Sequence, residues 1–320
     1  MIDLSISIVN RSGWGLLRQC IESIKASTHR ISYQIIVVDN ASTDGSPTLL
    51  RKCFPEITTI ENSTPHGYGA SHNQAMHLSG GRHFLALNND VVVREGALDC
   101  MCELLDRSPQ VGLLGCRLLT PDGGLQVSCA HESSILRILA LDFVPTAIPL
   151  HRLRLREWMR EWPHDRERRV DVVQGSCMLC RGELLRKLGG FDEQFEFFRE
   201  EFDLCRRNRS AGYQVVFTPA AEIVHLGSQT VKLFRNELYA VFIESRYKYF
   251  LKHSGRLAAH TVVASAFGGI LARLLVHAAV GAMPGRRGAE SAQKVRLFAS
   301  MLRWFFRPER PWRHSDRVRV

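Results

Sequence analysis

Short apolar runs alternate with segments of helical periodicity along the N-terminal part of the chain. Residues 4–9 (LSISIV) and 31–39 (ISYQIIVVD) are predicted as strands, the second nearly continuous in apolar residues, as buried parallel strands are. Residues 14–26, between them, place apolar side chains on one face of a helix. The alternation continues to a strand at 111–119. This βαβαβαβ order predicts an α/β fold with a mainly parallel central sheet flanked by helices.

The other elements are predicted from the same patterns. Before residue 111, strands are expected at 56–62 and 82–89, and helices at 47–53, 69–78 and 95–107. From about 125 to 170 the periodicity stops, and we expect a loop-rich insertion that faces the substrate side. Beyond it, the chain is predicted to form strands at 170–180, 213–217 and 223–225, helices at 183–188 and 200–211, and mainly helix after residue 230.

Composition indicates a large globular protein in a reducing environment. With 320 residues and 45% apolar content, the chain has enough material for an ample core. No basic and then apolar leader opens the sequence, so we expect a protein that is not secreted. The nine cysteines are scattered, many within apolar runs, as reduced thiols used as small hydrophobic side chains are. Cys177 and Cys180 have redox or zinc spacing, but no second Cys or His pair accompanies them, and a structural role is predicted.

The net charge of +10 is concentrated in two segments. Residues 284–320 hold ten Lys and Arg against three acids, and residues 151–169 hold seven against four, so the rest of the chain is balanced. A local basic excess predicts a docking surface. Nucleic acid is one candidate partner, but the sequence contains no recognised binding motif for it. An anionic membrane surface is therefore the favoured partner.

Polar clusters stand where the predicted strands end, which is where open parallel sheets bind their ligands. The loop after the first strand lacks a dinucleotide fingerprint, because Arg18 stands at the position of its third glycine. Asp39 ends the most apolar strand and opens a polar turn. Within LALNNDVVV (85–93), an Asn-Asn-Asp cluster interrupts an apolar run that resumes at once. A simple strand-ending turn does not explain that resumption.

Seven blocks follow one another along the chain: VVDNASTDGS, Asn62 with HGYGASHNQA, LALNNDVVV, VVQGSCMLCR, LGGFDEQF, REEFDLCRR and IVHLGS. In this order they resemble the family-2 glycosyltransferases of the GT-A fold, and bacterial rhamnosyltransferase-like members in particular. The resemblance covers about residues 4–250. It implies a catalytic domain at 1–235, with a nucleotide-binding half at about 1–120 and an acceptor and catalytic half at 121–235. A helical, basic and membrane-associating region is expected at 236–320.

The resemblance places the nucleotide site at the strand ends. Asp39 is expected to accept a hydrogen bond from the base imide N–H, and Asn89 to face the ribose. Gly67 and Gly69 are expected to let the backbone approach the ligand without a Cβ. The other nucleotide-binding residues that the resemblance implies are Asn40, Ser42, Asp44 and Asn73. From the residues alone, the alternative for Asn73 is a solvent-facing helical asparagine.

The same resemblance implies a divalent metal site at the Asn-Asn-Asp cluster. Asp90 is expected to be the metal-binding carboxylate for Mg²⁺ or Mn²⁺, which take one or two protein carboxylates together with phosphate and water. His225 is expected to complete the site as a neutral imidazole. Asn88 stands where the family has an aspartate, which lowers the charge of the site. The alternative for His225 is an ordinary packed or surface histidine.

The acidic block is expected to carry catalysis. Glu201 aligns with the family's general base, with Glu200 as the competing residue, and Asp203 is expected to orient loops or the acceptor. The structural alternative is a set of acids favoured at a helix N-terminus. The resemblance also implies a single displacement with inversion at the sugar carbon. The residues expected near the donor sugar or acceptor are Gly175, Ser176 and Asp192; the Gly189-Gly190 pair is either part of that surface or a helix C-cap.

The C-terminal region contains a long apolar stretch, 260–283. Thr261, Ser265, Gly269, Arg273 and His277 recur in it every four residues and predict one non-apolar stripe on a helix. Arg273 and His277 would be costly inside lipid in an isolated span. The stretch is therefore predicted to lie at a membrane interface or in a dimer, and an ordinary packed helix is the alternative.

These features lead to one main hypothesis and one rival. The main hypothesis is an inverting, metal-dependent glycosyltransferase that moves a sugar from a nucleotide-diphosphate donor, with dTDP-rhamnose as a candidate, to a cell-surface glycan or polyprenyl-linked acceptor. We expect it in the cytoplasm, peripheral on the inner face of the plasma membrane, without nucleic acid. The rival is a non-catalytic nucleotide-sugar-binding or scaffold protein of a glycan assembly complex, in which Asn88 and Glu201 mark lost activity.

Overall fold

A computed structural model describes residues 2–144, 156–227, 235–281 and 286–307 of the chain. Its internal contacts divide the chain into two units. The sheet unit comprises Met1–Glu132 and Glu157–Leu233, and the helical unit comprises Ser133–Arg156 and Phe234–Val320. Because the helical unit includes a piece of the 125–170 stretch, that stretch is not a single insertion.

The secondary structure follows the predicted order. The strands are β1 (Leu4–Asn10), β2 (Tyr33–Asn40), β3 (Thr58–Asn62), β4 (His83–Asn88), β5 (Val91–Val93), β6 (Val111–Leu119), β7 (Leu125–Gln126), β8 (Cys129–Ala130), β9 (Arg168–Arg169), β10 (Val172–Val173), β11 (Cys177–Arg181) and β12 (Gln214–His225). The helices are α1 (Trp14–Ser27), α2 (Ser46–Cys53), α3 (Tyr68–His77), α4 (Ala97–Arg107), α5 (Ile135–Phe143), α6 (Gly182–Lys187), α7 (Glu200–Ser210), α8 (Arg235–Gly281) and α9 (Arg286–Trp304).

The central sheet has the strand order β3-β2-β1-β4-β11-β6-β12-β5, with β7 paired to β6 and β9 to β12. Strands β3, β2, β1 and β4 are parallel, as are β6 and β12. Strand β11 runs antiparallel between β4 and β6, and β5 runs antiparallel to β12. The predicted α/β fold with a mainly parallel sheet is thus confirmed. Strands β1, β2, β4 and β6 are buried along most of their length, as their apolar runs predicted.

The parallel register brings the polar strand ends into one row. Asn10 of β1 lies opposite Asp39 of β2, while Val9 of β1 lies opposite Asn88 of β4. On the far side of β2, Asn40 lies opposite Asn62 of β3. The carboxyl edge of the sheet therefore collects side chains that are far apart in the sequence.

Three predicted elements differ from the structure. The strand expected at 170–180 is two strands, β10 and β11, separated at residues 174–176. The two short strands expected after 213 are one strand, β12, whose register against β6 shifts between Thr218 and Glu222. The loop-rich insertion contains a nine-residue helix, α5. Its N-terminus is capped by the Ser134 side chain, which accepts a hydrogen bond from Arg137 N.

All nine cysteines are free, and seven of them are buried, which confirms their prediction as small hydrophobic side chains. Cys177 and Cys180 both lie buried on β11. Burial raises the pKa of the Cys102 and Cys129 thiols to about 12. Such thiols are packed side chains without a reactive thiolate.

The helical unit packs α8 against α5 and α9. Helix α8 is broken at Gly255, where φ is +84°. The non-apolar stripe predicted on α8 faces inward: Ser265 Oγ donates to Asp142 of α5 at 2.6 Å, and His277 Nδ1 lies 3.3 Å from Ser291 Oγ of α9. Arg273 Nη2 donates to the carbonyl of Leu141 at 3.4 Å. The stripe is therefore a packing face within this unit, whereas Leu275 and Val276 of the same helix are exposed.

Candidate active site

Asn10, at the end of the first strand, connects the polar strand ends. Its Nδ2 donates to Asp39 Oδ2 at 3.1 Å and to Ser42 Oγ at 3.2 Å. Its Oδ1 accepts from Asn89 Nδ2 at 2.9 Å. The structure thus brings three predicted site residues together through a residue that the sequence analysis missed. Its position in the sequence could have identified Asn10, because it is a polar residue that ends an apolar strand, as Asp39 and Asn88 are. The structure shows that Asn10 is buried.

The turn after β2 is held by its own polar side chains. Asp39 Oδ1 accepts from Ser42 N at 2.9 Å, and Ser42 Oγ accepts from Ser12 N at 2.7 Å. Asn40 makes two hydrogen bonds to the backbone of His66 in the next loop. Its Nδ2 donates to the His66 carbonyl and its Oδ1 accepts from the His66 N–H, at 2.8 Å each. Asp44 Oδ2 accepts from Trp14 N at 3.1 Å, at the start of α1. The loop expected to bind the nucleotide is therefore fixed before any ligand arrives.

Asp90 and His225 are brought together by the antiparallel pairing of β5 and β12. His225 lies opposite Val91 in that pairing, and Leu226 N donates to the carbonyl of Asp90 at 2.8 Å. As a result, His225 Nε2 lies 3.2 Å from Asp90 Oδ1, and both residues are buried. The amide Nδ2 of Asn88 lies 3.4 Å from the same Nε2. The two predicted metal ligands thus share one site although 134 residues separate them in the sequence.

Gln126, on β7, fixes the orientation of the His225 ring. Its amide lies 2.9–3.0 Å from His225 Nδ1. When Nδ1–H donates to Gln126 Oε1, the Nε2 lone pair faces Asp90. The buried Asp90 Oδ1 has no hydrogen-bond partner among the described residues. Sequence reasoning missed Gln126, because nothing local marks a glutamine on a two-residue strand.

This donor set fits a divalent cation. A carboxylate oxygen and an imidazole nitrogen that both present lone pairs at 3.2 Å repel each other unless a cation or a proton lies between them. Oxygen and imidazole ligands suit Mg²⁺ or Mn²⁺. Over residues 2–144, 156–227, 235–281 and 286–307, no group of three or more His, Cys, Asp or Glu side chains could hold a metal ion. Among the described residues, Asp90 and His225 are thus two candidate ligands, a number that suits a cation that also binds phosphate and water.

Tyr68 links this metal-binding edge to the segment before β11. Its hydroxyl lies 2.7 Å from the carbonyl of Gly175, to which it donates, and 3.2 Å from Asn88 Oδ1. The ring packs edge-on against Phe191 and Phe197. A Cβ built on Gly175 would lie 3.8 Å from the Cβ of Glu201. One half-buried tyrosine thus connects the strand-end cluster with the segment beside the acidic helix, a connection that the sequence did not indicate.

The acidic residues open helix α7 in a constrained backbone. Phe198 and Arg199, the N-cap residue, have φ of +67° and +70°, the left-handed region that non-glycine residues rarely adopt. Glu200 is buried, and one carboxylate oxygen of each of Glu200 and Glu201 has no hydrogen-bond partner among the described residues. A constrained turn that presents unpaired carboxylates is typical of functional sites.

Burial raises the pKa of both glutamates. Burial and the neighbouring Glu201 carboxylate hold the pKa of Glu200 well above its ordinary value. The pKa of Glu201 is raised as well, mainly by burial, and the positive charge of Arg199 opposes that rise. Both carboxyls therefore keep a proton to a higher pH than an exposed glutamate does.

Arg199 is itself held by a buried carboxylate. Its guanidinium donates to both oxygens of Glu157, at 2.9 and 3.0 Å, and lies over the Phe202 ring at 4.4 Å. Glu157 is fixed by its backbone carbonyl, which accepts from His131 N at 2.7 Å. Neither residue was predicted, because the ion pair joins positions 42 residues apart.

Asp203 and Asn73 position loops. Asp203 is buried and accepts from Arg207 Nε at 2.6 Å; Arg207 in turn donates to the carbonyls of Leu188 and Gly190 at 2.8 Å each. Asn73 Oδ1 accepts from Phe191 N, and its Nδ2 donates to Phe191 O, both at 2.8 Å. Asn73 is therefore not the solvent-facing asparagine of the alternative interpretation.

The glycine positions have different roles from those expected. A Cβ on Gly67 would lie 2.9 Å from the carbonyl of Glu196, and one on Gly69 would lie 2.8 Å from Phe191 Cβ. Packing inside the protein thus requires a glycine at both positions, and the expected approach of a ligand to this backbone stays a prediction. Gly189 has φ of +77° after the end of α6, as the C-cap alternative predicted.

Ser176 and Asp192 complete the predicted residues. Ser176 is buried, and its hydroxyl has no hydrogen-bond partner among the described residues, while its carbonyl accepts from Asn88 N at 3.0 Å. Asp192 accepts from Gln194 N at 3.0 Å in a local turn. Ser176 thus lies next to the metal-binding strand end, whereas the contacts of Asp192 that we describe are local.

Comparison with known proteins agrees with this geometry. The family described as Glycosyl transferase family 2 matches residues 4–189. The N-acetylglucosaminyl-diphospho-decaprenol L-rhamnosyltransferase of Mycobacterium tuberculosis is 27% identical over 224 residues, which are 65% of this chain and 71% of that protein. The O-antigen biosynthesis protein RfbC of Myxococcus xanthus is 29% identical over 221 residues, 66% of this chain and 16% of that protein.

Solved structures share the fold at low sequence identity. The mannosyltransferase PcManGT of Pyrobaculum calidifontis, in complex with GDP-Man and Mn²⁺, has a TM-score of 0.52 at 16% identity and covers 96% of this chain and 90% of its own. GalNAc-T7 with UDP, GalNAc and Mn²⁺ has a TM-score of 0.55 at 14% identity. That match covers 79% of this chain and 51% of the GalNAc-T7 chain, so this chain spans about half of that neighbour.

Proposed function

Since the chain belongs to the Glycosyl transferase family 2 and has the GT-A fold of its structural neighbours, we propose that it is an inverting, metal-dependent glycosyltransferase that acts on a nucleotide-diphosphate sugar. Its similarity to rhamnosyltransferases makes dTDP-rhamnose the candidate donor. The observation that carries the proposal is the juxtaposition of Asp90 and His225, whose facing lone pairs at 3.2 Å suit a cation.

Donor binding is assigned to the loops at the carboxyl edge of the sheet. Asp39 accepts from the base imide, and Asn89, held by Asn10 at 2.9 Å, faces the ribose. Asn40, Ser42 and Asp44 keep the nucleotide loop in place through the hydrogen bonds that they make within the fold. Because the loop is already fixed, it loses little conformational entropy when the donor binds.

Asp90 and His225 would hold Mg²⁺ or Mn²⁺, and Gln126 orients the histidine for that task. When bound, the cation supplies positive charge beside the diphosphate as that group leaves the sugar. Asn88 carries no charge, whereas the family has an aspartate at this position. The diphosphate and water would therefore supply more of the ligands of the cation.

Glu201 is assigned as the general base. Its carboxylate takes the proton of the acceptor hydroxyl while that oxygen bonds to the anomeric carbon and the bond to the diphosphate oxygen breaks. The products are the inverted glycoside and the nucleoside diphosphate. Asp203 and Asn73 position the loops that border this region.

The proposed acceptor is a hydroxyl of a lipid-linked or cell-surface glycan. The support is the printed name of the Mycobacterium tuberculosis relative, which describes a diphospho-decaprenol-linked acceptor. We place the protein in the cytoplasm on the inner face of the plasma membrane, with the helical unit as the element that meets the lipid. That unit contains one helical segment, Tyr239–Gly281, long and apolar enough by length and composition to cross a membrane. A homodimer is the alternative use of that apolar surface.

A panel of sugar nucleotides, each with Mg²⁺ or Mn²⁺, tests the donor. Binding is scored by thermal shift, since ligand binding to the folded state raises stability, and turnover by release of nucleoside diphosphate. Glu201→Gln is expected to bind the donor and lose turnover, and Asp90→Ala to lose metal-dependent binding. Tight donor binding without turnover by the wild type, with every acceptor tried, would favour the non-catalytic scaffold.

A further inference from the structure

Helix α5 exposes three apolar side chains and buries its acidic residue. Leu136, Leu139 and Phe143, at helical spacing, form its exposed face, with Leu136 59% exposed. Asp142, outside that face, is buried and bonded to Arg246 of α8 at 2.9 and 3.1 Å. A helix that faces water has the reverse arrangement. The face of α5 therefore suits an apolar environment.

The C-terminal part of α8 shows the same inversion. Leu275 and Val276 are each 60% exposed, and Leu271 is exposed beside them. Arg273 and His277 of the same turns are less exposed and bond to α5 and α9. Two helices of one unit thus turn aliphatic side chains outward while their polar groups bond to each other. Exposed apolar surface of this kind marks an interaction site.

Helix α9 adds positive charge. Lys294, Arg296, Arg303 and Arg307 are exposed in the described residues of α9 and its extension to 307, and Glu290 is the one acid there. An exposed basic helix and exposed aliphatic faces within the same unit match the two components of a bilayer surface, anionic headgroups and acyl chains. A second copy of this chain has the same basic helix and would not complement that charge.

We propose that the exposed faces of α5 and the C-terminal part of α8 insert into one leaflet of an anionic bilayer, with α9 against the headgroups. This inference deepens the membrane association proposed above by naming its surface. The insertion is one-sided, because the polar stripe of α8 is engaged by α5 and α9. Lipid contact of this kind holds the enzyme in the layer that carries a polyprenyl-linked acceptor.

Flotation of the full chain with vesicles tests the surface. The wild type is expected to float with vesicles of phosphatidylcholine and phosphatidylglycerol, and less with phosphatidylcholine alone. The double variant Leu136→Asp/Leu275→Asp is expected to lose about tenfold or more in vesicle partitioning, because two aliphatic contacts are replaced by charge. The matched control is Leu78→Asp in the sheet unit, where a 54% exposed leucine is replaced without effect on flotation.

A second pair of variants tests the contribution of the basic residues of α9 to the binding of anionic lipid. Lys294→Ser/Arg296→Ser is expected to remove most of the preference for phosphatidylglycerol, whereas Lys52→Ser/Arg107→Ser, two exposed basic residues of the sheet unit, is expected to keep it. Failure of the wild type to float overturns the proposal. So does equal flotation of the Leu136→Asp/Leu275→Asp variant, or a dimer in light scattering that this variant dissociates. Thermal shift with the sugar nucleotide is measured on the same samples, so failure of membrane binding stays distinct from failure of the proposed function.

Discussion

Arg199 and Glu157 form a bidentate ion pair, at 2.9 and 3.0 Å, in which both side chains are almost fully buried. The pair lies directly before the two glutamates that open α7, and it fixes a residue whose backbone is in the left-handed region. Its charges also act on Glu201: burial raises the pKa of that carboxyl, Arg199 lowers it and Glu157 raises it. The pair therefore both holds the backbone of the acidic turn and influences the pKa of Glu201.

We predict opposite pH shifts from the two halves of this pair. Activity needs ionised Glu201, so it falls as the pH falls through the raised pKa of that residue. Glu157→Gln leaves Arg199 uncompensated, which favours the Glu201 carboxylate and moves the acidic limb of kcat to lower pH by roughly one unit. Arg199→Gln moves it to higher pH. The pH dependence of nucleoside diphosphate release measures both.

The free energy of unfolding provides a second test of the Arg199–Glu157 pair. Glu157→Gln is expected to cost about 3–5 kcal/mol in urea unfolding, because a buried charge loses its partner. The exposed pair Arg18–Glu22, at 2.8 Å, is the control, and Arg18→Gln is expected to leave the free energy of unfolding nearly unchanged. A pH limb that moves in the same direction for both Glu157→Gln and Arg199→Gln would contradict the electrostatic role.

We predict that Glu200 destabilises the folded protein as the pH rises. The pKa of this buried residue lies well above its ordinary value of 4.5, so the folded chain keeps a proton that the unfolded chain loses. The stabilisation that Glu200 provides is complete below the ordinary value and is lost as the pH rises through the raised one. Glu200→Gln cannot ionise, so its stability relative to the wild type increases with pH over that window. Urea unfolding at several pH values measures this, with the exposed Glu183→Gln as the control. Parallel pH curves for Glu200→Gln and the wild type would refute it.

Gln126 is predicted to set metal affinity through His225. Gln126→Leu removes the hydrogen bond that orients the ring, and Mn²⁺ affinity in the presence of a nucleoside diphosphate is expected to fall about 10- to 100-fold. Free Mn²⁺ is measured by its electron paramagnetic resonance signal. Gln110→Leu, at an exposed position, is expected to leave the affinity unchanged. Unchanged Mn²⁺ binding by Gln126→Leu would show that Gln126 only packs beside the histidine.

Asp142 is predicted to hold the helical unit together. It accepts from Arg246 through both oxygens and from Ser265 at 2.6 Å. Asp142→Asn leaves the Arg246 charge buried and is expected to cost about 3–5 kcal/mol, whereas Ser265→Ala removes one hydrogen bond and costs about 1 kcal/mol. Far-UV circular dichroism during urea unfolding measures both variants. Asp165→Asn, at an exposed position, is the control, and an equal effect of the Asp142 and Asp165 variants would exclude the network as the cause.

The sequence by itself determined the sheet and the edge where its chemistry lies. Apolar periodicity is local, so it located the strands of the parallel half and the helices between them. In a parallel sheet the carboxyl ends meet at one edge, and this rule alone placed Asp39 beside the Asn88–Asp90 cluster. The acidic turn at Glu200 and Glu201 was also evident, as a charged block at a helix start.

Only the tertiary structure decided which side chains serve those positions. Asn10, Gln126 and the Arg199–Glu157 pair act on partners 29 to 99 residues away, a range over which periodicity carries no information. The C-terminal helices show the same limit. The sequence revealed the polar stripe of α8, but its direction depends on Asp142, which is 104 residues before Arg246 and 123 before Ser265. Local patterns fix which face of a helix is polar, whereas the long-range partner fixes whether that face points inward or toward the solvent.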